Sequence, residues 1–182
     1  MIIFVTGGAR SGKSRFAQDL ACEITDNPVY IATARHWDKE FDKRIERHQN
    51  DRDERWTTVE EETLVSKVPI EGKVVVIDCV TLWLTNFFTD SGNNVETSLT
   101  LFKNEIDILN EKDAKVIIIS NELGMGIHAE TEIGRRFTDL QGWANQYVAK
   151  KASKVIFMVS GIPMQIKANE ASGKMQKFEN KP

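Results

Sequence analysis

Residues 7–14 read Gly-Gly-Ala-Arg-Ser-Gly-Lys-Ser and directly follow the apolar run at residues 2–6. They fit the pattern G-x-x-x-x-G-K-S, with a strand pattern before the segment and a helical pattern after it. Glycine lacks a Cβ atom, so such a loop can take left-handed turns and bring its backbone close to a ligand. Loop amides and the start of the next helix both favour negative charge. The segment therefore predicts a phosphate-binding loop.

Three positions extend this prediction to a nucleotide and a metal ion. We expect Lys13 to neutralise the β- and γ-phosphates and the Ser14 hydroxyl to ligate Mg²⁺. Asp78 ends the apolar run at residues 74–77. An acidic residue after a buried strand is typical of a carboxylate that holds Mg²⁺. The alternative for Asp78 is an N-cap for the helix that begins near Val80.

Apolar, β-branched runs alternate with helical patterns along the chain. Strands are predicted at residues 2–6, 29–32, 74–79, 115–121 and 154–160, with the continuous apolar runs of strands covered on both faces. Helices are predicted from 14 to about 25, over about 38–50, from 80 to about 89, and at 95–112 and 130–151. This alternation predicts a doubly wound α/β fold, with a mainly parallel central sheet and helices on both faces. Together with the phosphate-binding loop after the first strand, the expected fold class is a P-loop NTPase (RecA-like). Ligands of such sheets collect at the carboxyl ends of the strands.

Composition restricts the class of protein further. The chain has 182 residues, of which 41% are hydrophobic and 28% charged, as in a globular domain. We expect one catalytic domain at residues 1–167 and a polar, loosely ordered tail at 168–182. A net charge of −3 with scattered basic residues argues against nucleic-acid binding. With no membrane-spanning run and no secretory leader in the sequence, we expect a cytoplasmic protein with reduced cysteines.

Two further segments hold residues suited to chemistry. Residues 44–48 read Arg-Ile-Glu-Arg-His, which places Arg44 one helical turn from His48. A neutral imidazole is a nucleophile toward phosphorus, and guanidinium groups hold phosphate oxygens. The pattern alone nevertheless favours a solvated charged helix. Residues 121–127, Asn-Glu-Leu-Gly-Met-Gly-Ile, follow a strand and predict either a site loop without an assigned role or a simple strand-to-helix connection.

Together these segments resemble the bifunctional adenosylcobinamide kinase / adenosylcobinamide-phosphate guanylyltransferase family of cobalamin biosynthesis. The resemblance runs from residue 2 to about 167. The matching segments are residues 5–15, 30–34, 44–48, 56–60, 78–81, 121–127 and 160–162, with Asn86, Gly142, Asn145 and Gln146. The combination of the phosphate loop with Arg-x-x-Arg-His and Asn-Glu-x-Gly-x-Gly-Ile is far more specific than the loop alone.

The resemblance implies two reactions. Adenosylcobinamide is phosphorylated by ATP or GTP, and GMP is then transferred from GTP to adenosylcobinamide phosphate, giving adenosyl-GDP-cobinamide and pyrophosphate. His48 matches the residue that carries GMP covalently in the family, and a homotrimer is expected. The implied nucleotide contacts are Gly7, Gly8, Ala9, Arg10, Ser11, Gly12, Lys13, Ser14, Thr33, Ala34, Arg35, Gln49, Asn50, Asp51, Arg52, Glu60 and Asp78. The chain departs from the family where Arg52-Asp53 replaces a common Arg-Pro, so this loop is expected to differ in detail.

Two other functions are compatible with the phosphate loop. A kinase that phosphorylates some other small alcohol would share the loop and the fold but would have no need of His48. A nucleotide-dependent regulatory module would show little turnover. The Asn-Lys-x-Asp signature expected of switch GTPases is absent from the sequence, which argues against the second alternative.

Overall fold

The computed structural model describes residues 1–35 and 52–168. Within these ranges the strands are β1 (Ile2–Gly7), β2 (Val29–Ala32), β3 (Thr57–Glu60), β4 (Val74–Asp78), β5 (Lys115–Asn121), β6 (Lys154–Val159) and β7 (Ile162–Ala168). The helices are α1 (Lys13–Ile24), α2 (Val80–Asp90), α3 (Val95–Glu111) and α4 (Glu132–Lys151), and a short 3₁₀ turn covers Val65–Lys67.

The described strands form one sheet in the order β3-β2-β4-β5-β1-β6-β7. Neighbouring strands run parallel, except that β7 is antiparallel to β6. The predicted mainly parallel sheet is therefore confirmed. Strand β5 lies between β1, which leads into the glycine-rich loop, and β4, which ends at Asp78. The carboxyl ends of these three strands lie side by side at one edge of the sheet.

Both faces of the sheet are buried, which explains the continuous apolar runs. Successive strand side chains point to opposite faces. In β1, Phe4 belongs to an apolar cluster that includes Trp83 of α2 and Phe102 of α3. Its neighbour Val5 belongs to a second cluster that includes Ala17 of α1. The sheet therefore has α1 on one face and α2, α3 and α4 on the other, as predicted.

The sequence analysis missed two strands, and both lie at edges of the sheet. Strand β3 is four residues long and mostly exposed, so it lacks the apolar run that marks a covered strand. Strand β7 alternates in sequence and contains Pro163, which an edge strand accommodates because one side of its backbone has no ladder partner. Edge strands lack the burial that produces a readable apolar pattern.

The predicted helices at 14–25, 80–89, 95–112 and 130–151 correspond to α1, α2, α3 and α4. The helix predicted at about 38–50 lies outside the described residues. Strand β7 ends at Ala168, the first residue of the predicted tail, and residues 169–182 also lie outside the described part. To cross a membrane, a helix would need more length and apolarity than any helix within residues 1–35 and 52–168 has.

Candidate functional site

The glycine-rich loop connects β1 to α1 at the carboxyl edge of the sheet, and two of its glycines are required by geometry. A Cβ atom on Gly7 would lie 2.5 Å from the Met158 carbonyl oxygen. Gly12 has a φ of 91° and is the N-cap of α1. The Gly161 amide donates to the Ser11 carbonyl at 3.0 Å, so the turn between β6 and β7 supports the loop. A side chain at either glycine position would displace the loop backbone.

The start of α1 is suited to an anion. No side chain of the described residues caps this end of the helix, and no acidic residue occupies its first turn. The first amides of a helix lack partners within the helix and attract negative charge. The Lys13 ammonium donates to the Gly8 carbonyl at 2.6 Å, and the residue is only 6% exposed. Burial lowers the pKa of Lys13, while the nearby Asp78 carboxylate acts in the opposite direction.

Asp78 faces the loop from the end of β4. Its Oδ2 atom accepts hydrogen bonds from the Ser14 hydroxyl at 3.0 Å and from the Tyr30 hydroxyl at 2.8 Å. The alternative role of Asp78 as a helix cap is wrong, because the N-cap of α2 is Cys79 and receives no side-chain cap. Burial raises the pKa of the Cys79 thiol to about 12, so the thiol is neutral at physiological pH. The Asp78 carboxylate therefore contacts the end of the phosphate loop through Ser14.

Tyr30 links Asp78 to Arg52. Burial, together with the Asp78 carboxylate, raises the pKa of the Tyr30 hydroxyl well above its ordinary value, so the hydroxyl stays protonated and donates. The Arg52 guanidinium carbon lies 3.8 Å from the centre of the Tyr30 ring, a cation–π contact. Trp56 packs against the same ring edge-on, with centroids 6.1 Å apart. Two of the predicted nucleotide contacts, Asp78 and Arg52, therefore contact Tyr30, which lies in a matching segment but was not among the predicted site residues.

The segment after β2 is held in place by α2. The Thr33 amide donates to the Asp78 carbonyl at 3.1 Å, and its hydroxyl donates to the Cys79 carbonyl at 3.0 Å. The buried Asn86 amide group donates to the Thr33 and Glu62 carbonyls at 2.7 and 2.8 Å. These bonds fix Thr33 beside the end of β4.

The Arg35 guanidinium is engaged by two carboxylates. It makes a bidentate contact to Asp90, with both distances 2.7 Å, and a further contact to Glu62. These hydrogen bonds, foremost those that Arg35 donates to Asp90, raise the pKa of Arg35. A nucleotide phosphate that used this guanidinium would compete with both carboxylates.

Asn86→Ala is expected to destabilise the fold, because the Thr33 and Glu62 carbonyl oxygens would lose the donor that the Asn86 side chain provides. We expect the free energy of unfolding to fall by about 2–3 kcal/mol, measured by urea unfolding. Thr85→Ala is the matched control on α2, since its hydroxyl bonds only within the helix, to the Thr81 carbonyl at 2.8 Å. Its unfolding midpoint should remain close to that of the wild type. Equal midpoints for the two variants would contradict the assigned role of Asn86.

A buried polar network fixes the end of β5. The Ser120 hydroxyl donates to Asn145 Oδ1 at 2.6 Å, and the Gln141 amide donates to both Ser120 and Asn145. The sequence singled out Asn145 and Gln146, but Gln146 is exposed and Gln141 is the buried partner. The spacing of four between Gln141 and Asn145, which places both on one helical face, is the signal that could have identified the pair.

The remaining predicted residues are distributed as follows. Glu60 ends β3 at the same carboxyl edge and is exposed. His48, Gln49, Asn50 and Asp51 lie outside the described residues. Within the described part, no cluster of three or more His, Cys, Asp or Glu side chains could hold a metal ion. A metal site there would instead use the paired oxygens of Ser14 and Asp78.

The site combines three features of a P-loop NTPase. They are a glycine-rich loop between a strand and a helix, the buried Lys13, and Asp78 on β4, which is separated from β1 by β5. The family model described as cobinamide kinase / cobinamide phosphate guanyltransferase matches residues 3–166. The chain belongs to this family, as the sequence resemblance predicted.

Curated relatives cover nearly all of the chain. The bifunctional adenosylcobalamin biosynthesis protein CobP of Pseudomonas aeruginosa is 38% identical, over 90% of this chain and 95% of its own length. The bifunctional adenosylcobalamin biosynthesis protein CobU of Escherichia coli is 37% identical, over 92% of this chain and 100% of its own length. The CobU protein of Salmonella typhimurium is 38% identical with the same coverage of both chains.

Solved structures of low sequence identity share the fold. An ATPase of a bacterial type III secretion system aligns with a TM-score of 0.53 at 11% identity, over 90% of this chain and 56% of its own. A Pyrococcus horikoshii OT3 protein aligns with a TM-score of 0.54 at 8% identity, over 92% of this chain and 86% of its own. At these identities the likeness concerns the fold alone.

Proposed function

We propose that this chain phosphorylates the hydroxyl group of adenosylcobinamide with ATP or GTP and then transfers GMP from GTP to adenosylcobinamide phosphate. The observation that carries the proposal is the contact of Ser14 with Asp78, at 3.0 Å, beside an intact phosphate loop. It joins the two motifs that a phosphoryl-transfer enzyme needs, in a chain that belongs to a family described by these two reactions.

In the kinase step the protein binds and orients the triphosphate. The loop amides at residues 7–14 hold the phosphate oxygens, and Lys13 exchanges its bond with the Gly8 carbonyl for the β- and γ-phosphates. Phosphoryl transfer needs little covalent chemistry from the protein, so positioning and charge neutralisation provide most of the rate enhancement. Burial of Lys13 supports this role, because a cation shielded from water interacts strongly with phosphate.

Ser14 and Asp78 would hold Mg²⁺. Hydroxyl and carboxylate oxygens are the hard ligands that this ion prefers, and the two side chains already lie within hydrogen-bond distance of each other. When bound, Mg²⁺ neutralises charge on the phosphate oxygens. The Tyr30 hydroxyl, which donates to the same Asp78 oxygen, orients the carboxylate toward the loop.

In the guanylyl step we propose that an imidazole nitrogen of His48 attacks the α-phosphorus of GTP. The bond between this phosphorus and the bridging oxygen breaks, and pyrophosphate leaves. A phosphate oxygen of adenosylcobinamide phosphate then attacks the same phosphorus and displaces the imidazole, so the transfer is split into two steps. His48 precedes Arg52 by four positions, and four residues of extended chain span at most about 14 Å. The contact of Arg52 with Tyr30, which binds Asp78, supports a nucleophile near the triphosphate.

We further propose that the enzyme is a cytoplasmic homotrimer. An apolar row on the edge strand β7 supports self-association: Ile162, Met164 and Ile166 are 65%, 51% and 63% exposed. Ile162 and Met164 alternate along the strand and therefore lie on one face of it, and Ile166 lies at the irregularity in the pairing of β7 with β6. Contact with a neighbouring copy would remove such a row from water.

Incubation with adenosylcobinamide and GTP, with the products identified by mass, tests the function. We expect adenosylcobinamide phosphate first, then adenosyl-GDP-cobinamide with one pyrophosphate for each GMP transferred. Accumulation of the phosphate alone would identify a kinase without transferase activity. Nucleotide turnover that is the same with and without adenosylcobinamide would indicate a different substrate.

A further inference from the structure

The residues that follow β5 lie between the phosphate loop and Asp78. Asn121 pairs in register with Gly7 of β1, and the next amide, of Glu122, donates to the Gly7 carbonyl at 2.9 Å. On its other side β5 pairs with β4, which ends at Asp78. Glu122 is therefore bonded through its backbone to the first residue of the phosphate loop.

The direction in which the chain leaves β5 is fixed. The Asn121 side-chain amide donates to the Thr81 hydroxyl at 3.1 Å. The backbone carbonyl of Asn121 accepts from the Asn145 side chain, also at 3.1 Å. Asn145 is itself bonded to buried Ser120 and Gln141. These hydrogen bonds, made by buried side chains, hold the backbone of Asn121 in one position. The backbone that precedes Glu122 is therefore held in place beside the phosphate loop.

The carboxylates of this edge differ in how they are engaged. Asp78 accepts from Ser14 and Tyr30. Within the described ranges, Glu62 and Asp90 are bonded to Arg35. Glu122 is half-buried, and its Oε1 atom accepts from the Gly124 amide at 2.8 Å, a bond that uses one oxygen of the carboxylate. Within residues 1–35 and 52–168 the Glu122 carboxylate forms no ion pair with an arginine, and its backbone is bonded directly to the loop.

We propose that Glu122 is the proton acceptor for the substrate alcohol in the kinase reaction, an inference that rests on the proposed function. The alcohol oxygen forms a bond to the γ-phosphorus while the bond from this phosphorus to the β-phosphate oxygen breaks. The nucleoside diphosphate leaves with that electron pair, and the hydroxyl proton passes to the Glu122 carboxylate. In the guanylyl step the acceptor is a phosphate oxygen that already carries negative charge, so no proton has to be removed. Glu122 is therefore required in one reaction and dispensable in the other.

Glu122→Gln separates the chemical role from a structural one. The glutamine amide oxygen still accepts from Gly124, but the side chain cannot take up a proton. We expect the kcat of adenosylcobinamide phosphorylation to fall roughly 100-fold or more, with little change in KM. Transfer of GMP to adenosylcobinamide phosphate supplied directly should keep its wild-type rate. Glu130→Gln, an exposed position further along the same segment, is the matched control and should leave both rates unchanged.

Two results would overturn the assignment. One is a Glu122→Gln kinase rate close to that of the wild type. The other is an equal loss of both reactions, which would indicate that the residue only shapes the loop. The wild-type enzyme is assayed in parallel. If it failed to phosphorylate adenosylcobinamide at all, the proposed function would be refuted together with this inference, and that result is distinct from the other two.

Discussion

Lys13→Ala is expected to lower the kinase rate and the guanylyl transfer rate together, each by roughly 10²–10³-fold, the usual cost of removing one charge-stabilising donor. The two reactions attack different phosphorus atoms, but both require the triphosphate to be held in the loop. The Lys13 ammonium is buried beside the Gly8 carbonyl and near Asp78, so its loss removes a cation held at the phosphate loop. Steady-state rates of phosphorylation and of pyrophosphate release measure the two effects.

Lys112→Ala is the control for this experiment. It removes the same charge at the opposite edge of the sheet, where Lys112 pairs with Glu71 at 2.7 Å. Both rates should be unaffected, and circular dichroism should show that both variants are folded. Loss of only one reaction in Lys13→Ala would mean that the two reactions use separate nucleotide sites.

The central part of the fold is predictable because each element carries its own signal. The runs at residues 74–77 and 116–119 consist of β-branched residues buried on both faces, and no helix or half-exposed strand requires that pattern. Strands β3 and β7 have no comparable signal. They are strands because β2 and β6 offer free edges to pair with, which is a property of the assembled sheet.

The candidate site is predictable where a motif is local and not where it depends on tertiary contact. The loop and Asp78 are each recognisable from a few consecutive residues. Their contact joins Ser14 to a residue 64 positions away, and Tyr30 completes the group from a third strand. A tyrosine within an apolar strand looks like an ordinary core residue until the neighbouring strand places a carboxylate against its hydroxyl.

The role of Arg52 shows the same limit. The sequence analysis placed it among nucleotide contacts by resemblance and expected its loop to differ because Asp53 follows it. In the structure Asp53 binds Arg55, with the closest pair of atoms 2.7 Å apart, while Arg52 stacks on Tyr30. The adjacent residues Arg52 and Asp53 therefore have different partners, Tyr30 for Arg52 and Arg55 for Asp53. Arg52 contacts Tyr30, and Tyr30 donates to Asp78, so Arg52 is connected to the candidate site.

His48→Ala is expected to abolish covalent labelling of the protein by α-³²P-GTP and to abolish guanylyl transfer, while phosphorylation of adenosylcobinamide continues. The kinase step attacks the γ-phosphorus with the substrate alcohol and needs no protein nucleophile. The guanylyl step forms a phosphorus–nitrogen bond to the protein, so loss of the imidazole removes the intermediate itself. Brief incubation with labelled GTP, followed by denaturing electrophoresis, measures the adduct.

His128→Ala is the matched control, because His128 is an exposed histidine to which no function is assigned. It should label as the wild type does, and the label on the wild type should be released by acid and survive alkali, as a phosphoramidate does. The chain has three histidines, so transfer of the label to another residue would be visible by peptide mapping. Label that persists in His48→Ala would refute the histidine assignment. Loss of the kinase reaction together with the label would indicate that the residue positions the triphosphate for both reactions, because a nucleophile for the α-phosphorus has no part in transfer of the γ-phosphoryl group.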